Sequence, residues 1–235
     1  MTQTAPTQVE YEILRKGRWF ESVPEPLQNA LLERACVRHL PAGTVISCPG
    51  DGPKGLWAVL DGCVRMASEV SPGRSIVHML IEPPTWFGEV TSIDRRPQFI
   101  EASAAVDTHV LHVPQVELEA VLELHPALWE YLAQLLAHRL RIAVLALVDA
   151  ESPSLQARLA RRLAIIIEGY GDRARRHTRI RISQENLGLM LGMSRQTVNR
   201  LLKDLQQQQL LAIGYGEIEI LDEGRLLAFA DKQAA

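Results

Sequence analysis

The chain has 235 residues, of which 47% are hydrophobic and 23% charged, and this composition is typical of a folded globular protein rather than a disordered one. The sequence has no apolar run near the roughly 20 residues that cross a membrane, and its N-terminus, MTQTAPTQVE, has neither the basic nor the apolar part of a secretory signal, so we expect a cytoplasmic protein. The net charge of −3 is unevenly spread, because residues 154–203 carry 11 Lys and Arg against three acids, and such a positive segment is typical of a protein that binds a polyanion.

The N-terminal half of the chain is predicted to be mainly β-structure. Residues 1–10 are polar and are expected to fray, and the spacing of apolar residues over 26–35 predicts a helix that packs against the strands. From about residue 40 to 113, short apolar runs are separated by Gly, Pro and Asp, a pattern typical of an antiparallel sandwich or small barrel. The clearest strands are expected at residues 44–47, 56–60, 63–69 and 75–81.

A long helix is predicted over the next segment, up to about residue 150. Pro126 can occupy its first turn, and about 25 residues without Gly or Pro follow. Two apolar stripes run along it: the first consists of Leu128, Leu132, Leu135, Ile142 and Ala146, and the second of Leu136, Leu140, Ala143 and Leu147. A helix that is apolar on two sides needs two partners. We expect the β-region to cover one side and the same helix of a second subunit to pack on the first stripe as a short coiled coil, with burial inside one subunit as the alternative.

The C-terminal third is predicted to contain three helices and a β-hairpin. Ser154 is a candidate N-cap for a helix that ends before Gly169, and a basic loop and a strand at residues 179–182 follow. Two further helices are expected within residues 183–205. The hairpin is expected to consist of residues 211–213, the turn Gly214, Tyr215 and Gly216, and residues 217–221.

Residues 183–205, SQENLGLMLGMSRQTVNRLLKDL, have the pattern of a helix-turn-helix. Ser183 and Ser194 are N-cap candidates for the two helices, and Gly192 can adopt the positive φ that the tight turn requires. The second helix turns its apolar residues inward, and its outer face carries Arg195, Gln196, Asn199 and Arg200, with Lys203 beyond. An ordinary helical hairpin with a solvated surface is the alternative, but the basic segment and the flanking strands favour a winged, DNA-binding arrangement.

These outward side chains have the chemistry for reading DNA. A helix fits the major groove, where Arg can bind guanine O6 and N7 as a fork and Gln or Asn can bind adenine in the same way. Hydroxyl groups and the backbone N–H groups at a helix start suit phosphate oxygens, which applies to Ser194 and Thr197. We therefore expect double-stranded DNA as a partner.

At residues 191–211, LGMSRQTVNRLLKDLQQQQLL, the chain resembles the CRP/FNR family of transcription regulators, and the resemblance extends over about residues 20–225 through LPAGTVISCPGDGPKGLWAVLDGCVRM and WFGEV. It implies an α+β fold with an N-terminal β jelly roll, a long dimerisation helix and a C-terminal winged helix-turn-helix, which we place at residues 1–115, 116–151 and 152–235. It also implies a non-enzymatic regulator that binds a near-palindromic operator as a homodimer, with RNA polymerase as a further partner.

Carried onto this sequence, the resemblance assigns base reading to Arg195, Gln196 and Arg200, and Asn199 joins them from its place on the same face. Phosphate contacts are expected from Ser183, Gln184, Ser194, Thr197 and Lys203. Gln196 stands where the family usually has an acid. Because Glu accepts a hydrogen bond from cytosine N4 whereas Gln prefers adenine, the preferred half-site is expected to differ at that base.

The resemblance also locates a candidate effector pocket, at Gly88, Glu89, Gln98, Phe99, Ala143 and Val144. The family's cyclic AMP pocket holds the phosphate with an Arg-Ser pair and the adenine with hydroxyl residues on the dimer helix. Here Gln98 and Phe99 supply no cation, and Ala143 and Val144 are apolar. A buried phosphate without a cation is costly, so we expect no ordinary cyclic AMP binding, and Gly88 and Glu89 can be structural.

Other cofactors find no support in the sequence. Cys36, Cys48 and Cys63 lie 12 and 15 residues apart, which fits neither a redox pair nor a zinc site, and no earlier cysteine is present to hold the iron–sulfur cluster of the family's sensors. None of the seven histidines stands out as a haem ligand, and His109 and His112, three apart in a strand, are expected to point to opposite faces.

The H-x-H-x-E set of cupin enzymes, the P-loop and the G-x-S-x-G motif are absent, so no catalytic or metal-binding residue is predicted. A small-molecule or redox-responsive module without DNA function is the rival class, and it would leave the basic segment unexplained.

Overall fold

The computed structural model describes residues 3–71, 74–150, 152–167, 178–180, 182–214 and 216–234. The chain divides into two compact units, the first built mainly from residues up to Arg139 and the second mainly from Leu140 onward. The predicted helix stop at Gly169, the basic loop up to residue 177, Arg181 and the turn residue Tyr215 lie outside the described residues.

The elements up to the long helix alternate between strands and short helices. In chain order they are β1 (Gln3–Thr4), α1 (Gln8–Leu14), α2 (Arg18–Ser22), α3 (Glu25–Glu33), β2 (Cys36–Leu40), β3 (Val45–Ser47), β4 (Gly55–Asp61), β5 (Val64–Ser71), β6 (Arg74–Ile81), β7 (Trp86–Phe87), α4 (Glu89–Asp94), β8 (Glu101–Ala104), β9 (Thr108–Pro114), α5 (Gln115–Leu124) and α6 (Leu128–Ala150). The strands form a five-stranded sheet, β1-β2-β9-β4-β7, and a four-stranded sheet, β3-β8-β5-β6, with antiparallel pairings. The predicted β-sandwich and the helix before it are confirmed.

Strand β4 is buried on both faces, and this explains how the sheets and helices are layered. Trp57 and Val59 point into the space between the two sheets, where they meet residues such as Val110 and Phe87. Leu56, with its alternate neighbours on β4, joins a second apolar cluster formed by α1, α2, α3, α5 and the start of α6. Side chains alternate along a strand, so β4 supplies one apolar face to each layer.

The expectation that residues 1–10 fray is wrong for the part of that segment that the structure describes. Strand β1 pairs with β2, and α1 starts at a capping box in which the Thr7 side chain accepts from backbone N–H groups and Glu10 accepts from the Thr7 N–H at 2.8 Å. The polar residues that suggested disorder are the capping residues themselves. Leu14, fully buried, then fixes α1 to the core.

The first three members of the first apolar stripe of α6 belong to the core of this chain, which corrects their assignment to a subunit interface. Leu128, Leu132 and Leu135 are at most 2% exposed and pack in the cluster that contains Trp19 and Trp86. The other two members of that stripe, Ile142 and Ala146, are half-buried. The physical reason is that aromatic side chains from distant elements already cover this face.

The second apolar stripe of α6 is the one that faces solvent. Leu140 is 63% exposed and Leu147 69% exposed, while Trp129, at 40%, extends the same stripe to the start of the helix. Together with Ala133, Leu136 and Ala143, these residues recur at alternating spacings of four and three, the spacing of a coiled-coil seam.

The second unit is a helical bundle closed by a small sheet. Its elements are α7 (Leu155–Ile167), β10 (Arg179–Ile180), α8 (Gln184–Leu191), α9 (Arg195–Gln207), β11 (Leu211–Ile213), β12 (Ile218–Ile220) and α10 (Glu223–Ala234). The sheet order is β10-β12-β11, with both pairings antiparallel. The predicted winged helix-turn-helix is confirmed, and α10, which packs against α7, was not predicted. Within the described ranges, no helix is long and apolar enough to cross a membrane.

Candidate nucleic-acid interface

The first helix of the pair, α8, begins and ends as its sequence dictates. The Ser183 side chain accepts a hydrogen bond from the Asn186 N–H at 3.1 Å, which satisfies one of the free donors of the first turn. Leu187, Met190 and Leu191 are buried on the inner face. Gly192 then adopts φ 66° and ψ 32°, the left-handed conformation that ends a helix without a steric penalty for glycine.

Gly188, in the middle of α8, is a feature that sequence reasoning missed. A Cβ at this position would lie 2.6 Å from the carbonyl oxygen of Met193, in the turn between the helices. The Met193 N–H donates to the Gly188 carbonyl at 2.9 Å, so backbone meets backbone here. Glycine inside a helix lowers its stability relative to alanine. A glycine in the middle of a predicted helix was therefore the sequence signal that could have identified Gly188 as a packing position.

The second helix, α9, begins at a matching cap. The Ser194 side chain accepts from the Thr197 N–H at 3.1 Å, and the two hydroxyl oxygens lie 2.9 Å apart. Its inner face is almost fully buried and consists of Val198, Leu201, Leu202 and Leu205. Burial of this face fixes the rotation of α9 about its own axis, and therefore fixes which side chains point outward.

The outward face of α9 carries cations that lack partners in the described part of the chain. Arg195, Gln196, Arg200 and Lys203 are exposed. Of these, Arg195, Arg200 and Lys203 make no hydrogen bond or ion pair with any described residue. Ionic side chains without internal partners produce a local positive field that attracts a polyanion.

Asn199 and Gln184 lie closer to the seam between the two helices. Asn199 Nδ2 donates to Gln184 Oε1 at 3.0 Å, and both side chains are half-buried. The sequence placed Asn199 among base contacts and Gln184 among phosphate contacts, and the structure brings the two together. Ser183, Ser194 and Thr197, the other expected phosphate ligands, stand at the starts of the two helices.

Part of the basic segment supports the fold rather than facing outward. Arg158 Nη2 donates to the Leu191 carbonyl at the end of α8 at 2.8 Å. Arg161 pairs with Asp231 of α10 at 3.0 Å, and Arg179 pairs with Glu219 across the small sheet at 3.4 Å. Among the described cations of this segment, Arg158, Arg161 and Arg179 thus have partners within the chain, in contrast to those on the outward face of α9.

The hairpin formed by β11 and β12 is joined to α9 through a side chain of α9. Gln206, near the end of α9, accepts a hydrogen bond from the Ile213 N–H in β11 at 3.2 Å. The turn of the hairpin is closed by the Gly214 N–H, which donates to the Glu217 carbonyl at 2.9 Å. The hairpin thus has a fixed register next to α9.

In the first unit, Gly88 and Glu89 have structural roles. Gly88 has φ 96°, and a Cβ there would lie 2.4 Å from the Gly55 carbonyl oxygen. The Glu89 side chain is 5% exposed, and its Oε1 lies 3.8 Å from Nε of Arg139, whose side chain is 11% exposed. Arg139 Nη2 also donates to the Trp86 carbonyl at 2.6 Å. The partner of Glu89 is therefore Arg139.

The other candidate effector residues do not supply anion ligands. Gln98 Nε2 donates to Thr91 Oγ1 at 2.9 Å, and Phe99 is 61% exposed. Ala143 and Val144 are exposed on α6, in the second unit. Among the residues that the structure describes, no group of three or more His, Cys, Asp or Glu side chains is arranged to hold a metal ion.

His112 is a half-buried histidine of the first unit. Its ring stacks on Trp57 with centroids 3.6 Å apart, and its Nε2 donates to the Lys54 carbonyl at 2.8 Å. Burial, with a smaller contribution from the Arg38 charge, lowers the pKa of His112 to about 4. His109 is exposed and its ring lies 4.7 Å from the ring of His39, tilted by 38°, so His109 and His112 differ in burial as their spacing in β9 predicts.

Comparison with known proteins matches both units. The family model of the cyclic nucleotide-binding domain matches residues 37–125, and that of the Crp-like helix-turn-helix domain matches residues 157–229. The HTH-type transcriptional regulator Cmr of Mycobacterium tuberculosis is 27% identical over 202 residues, which is 86% of this chain and 79% of that protein. The Cyclic AMP receptor protein of Thermus thermophilus is 29% identical over 190 residues, 80% of this chain and 85% of that protein.

Solved structures share the fold. FixK2 from Bradyrhizobium japonicum superposes with a TM-score of 0.70 at 22% identity, covering 82% of this chain and 95% of its own. By its name, the Cmr protein is a transcriptional regulator.

Proposed function

Because this chain belongs to the CRP/FNR family of DNA-binding transcription regulators, we propose that it acts as a homodimer that reads a near-palindromic operator through α9. The outward face of α9, with three cations that have no partner among the described residues, carries this proposal. Arg195, Gln196 and Arg200 read base edges, while Ser183, Gln184, Ser194, Thr197 and Lys203 contact phosphates. The division into residues 1–115, 116–151 and 152–235 is part of the same proposal, as are RNA polymerase as a partner and a cytoplasmic location.

Selection from random duplex DNA tests the operator proposal directly. A dimer that places one α9 in each of two major grooves selects half-sites whose centres lie about one helical turn apart. Footprinting of the selected duplex should then show a protected region with a dyad. Protection without a dyad, or no retardation of any fragment at low salt, would contradict the proposal.

The exposed stripe of α6 is proposed as the dimer seam, with a second copy of the chain as its partner. Leu140 is 63% exposed, so Leu140→Lys disturbs little packing within the chain and should act mainly on association. Gln134→Lys, on the same helix but off the stripe, is the matched control. Sedimentation should show a monomer for the first variant and a dimer for the second. Equal behaviour of both variants would place the interface elsewhere.

The first unit is proposed not to bind cyclic AMP in the way that the names of some relatives imply for those proteins. Glu89 is already paired with Arg139, Gln98 is bonded to Thr91, and Phe99 offers no cation for a phosphate. Desolvating a phosphate without a cation is costly. Calorimetry and thermal unfolding with cyclic AMP should therefore show neither heat of binding nor a rise in Tm, and a clear rise would refute the proposal. A small-molecule effector of another kind can be sought by measuring the Tm of the protein with a panel of candidate compounds.

A further inference from the structure

A hydrogen bond joins Asn199 and Gln184 across the seam between α8 and α9. A glutamine side chain has one acceptor oxygen and an NH₂ group with two donors. In the structure Asn199 Nδ2 is the donor, so Gln184 Oε1 points toward α9, with 3.0 Å between the two atoms. The Gln184 Nε2 group is then turned away from the seam, and it makes no hydrogen bond with any described residue.

Gln184 occupies the first position of α8, directly after the cap residue Ser183. The backbone N–H groups of a helix start and a free NH₂ group are all donors, and phosphate oxygens accept only. With the amide in the opposite orientation, the oxygen would face the phosphate and repel it. The orientation that Gln184 has when its oxygen accepts from Asn199 is therefore the one that suits a phosphate ligand.

The same bond is at odds with base reading by Asn199. To bind adenine as a fork, Asn must direct both its oxygen and its NH₂ group at the base edge. Here the NH₂ edge of Asn199 is directed at α8, and the side chain is half-buried. Arg195, Gln196 and Arg200, by contrast, are exposed on the outward face.

We infer that Asn199 is a positioning residue, which acts on DNA through Gln184 by turning the Gln184 NH₂ group toward one backbone phosphate. The inference rests on the proposed function and replaces the base-reading role that the sequence gave to Asn199. It makes the phosphate contact of α8 depend on a side chain of the reading helix.

The test compares Asn199→Ala, Gln184→Ala and the double variant on the operator that the wild-type protein selects. Loss of one hydrogen bond to a charged phosphate corresponds to about tenfold weaker binding or more, and each single variant should show about that loss. The double variant should be no weaker than either single variant, because both remove the same contact. Base preference at every half-site position should stay unchanged in all three variants.

A neutral methylphosphonate, moved one phosphate at a time through a half-site, identifies the contact itself. Wild-type binding should weaken when the substitution reaches one particular phosphate, and both single variants should have lost that sensitivity. If Asn199 only stabilised the fold, its variant would still bind more weakly when that phosphate is replaced by methylphosphonate. Thermal unfolding of each variant should show a Tm equal to that of the wild type, which excludes a loss of structure as the cause of weaker binding.

Three outcomes would overturn the inference. Asn199→Ala could alter the preferred base at one position while Gln184→Ala does not, which would make Asn199 a base reader. The two losses could add in the double variant, which would make the residues independent. If the wild-type protein selects no sequence, the proposed function fails and the inference fails with it, whereas the first two results leave the proposed function intact.

Discussion

Charged side chains are used in opposite ways at the reading helix and at the start of α4. On α9, Arg195, Arg200 and Lys203 are exposed and make no ionic contact with the described residues. In the first unit, Glu89 and Arg139 are buried against each other, and Arg139 also holds the Trp86 carbonyl. A charge intended for a ligand remains available at the surface, whereas a charge whose partner lies within the chain serves the fold. The count of charges along the sequence does not distinguish the two cases.

The largest effect is expected where a buried pair is broken. Arg139→Met leaves Glu89 as an uncompensated buried carboxylate, and this should lower the free energy of unfolding by about 3 kcal/mol. All four tryptophans, Trp19, Trp57, Trp86 and Trp129, lie in the first unit, so urea unfolding followed by tryptophan fluorescence reports on that unit.

The double variant Arg139→Met with Glu89→Leu serves as the control for that prediction. Replacing both partners by apolar residues of similar volume is often neutral, so most of the lost stability should return. If Arg139→Met alone unfolds at the wild-type urea concentration, the pair has no structural role and the contrast with α9 breaks down.

The next effect concerns an exposed charge. Arg195→Ala should weaken binding to the selected operator by about 1–3 kcal/mol and relax the preference at one base, because an Arg fork discriminates guanine by that amount. The stability of the second unit should be unchanged, since Arg195 has no partner among the described residues. An equal loss on every DNA sequence would instead indicate a phosphate contact.

The histidines of β9 repeat the contrast between buried and exposed groups within one strand. The pKa of His112 is lowered from 6.5 to about 4, so the folded state binds fewer protons than the unfolded state between those values. Stability is therefore lost as the pH falls from 6.5 toward 4, by about 2 kcal/mol after allowance for the partial exposure of the ring.

Comparison of His112→Phe with His109→Gln, by urea unfolding across this pH range, isolates the buried group. The first substitution should reduce the pH dependence, and the second, at the exposed histidine, should retain it. Equal pH dependence in wild type and His112→Phe would show that His112 is not the group responsible.

The smallest change in affinity is expected from Gln196→Glu, which alters which base is preferred rather than how strongly DNA is bound overall. A Glu accepts from cytosine N4, whereas Gln pairs with adenine. Sequence selection with the variant should therefore recover a different base at one half-site position, with the remaining positions unchanged. Identical selected sequences would mean that Gln196 does not contact a base.

How well each region could be predicted from sequence follows from how local its determinants are. The helix-turn-helix depends on Ser183, Gly192 and Ser194 and on apolar residues within about twenty positions, so its caps and turn were predicted, and so was its outward face except for Asn199. The strands bounded by Gly and Pro were predicted for the same reason. In contrast, β2 and β8 are short, and apolar and polar residues do not alternate clearly along them. Their strand conformation depends on pairing with β9 and β5, which lie elsewhere in the sequence.

The features that were missed depend on contacts between distant residues. The two apolar stripes of α6 look alike in sequence, and only the aromatic residues Trp19 and Trp86 determine that Leu128, Leu132 and Leu135 face the core. The bond between Gln184 and Asn199 joins two residues 15 positions apart, each of which had a plausible outward role on its own. Hydrophobic periodicity fixes the faces of a helix but not which neighbour covers each face.

Gly188 has a consequence for genetics. A single added methyl group there would collide with the Met193 backbone and push the two helices of the DNA-binding unit apart, while no DNA-facing side chain and no residue of the α6 seam would change. If the chain works as a dimer, a Gly188→Ala subunit would still assemble with normal subunits and would remove them from their operators. One allele at this position would then be dominant over the wild type.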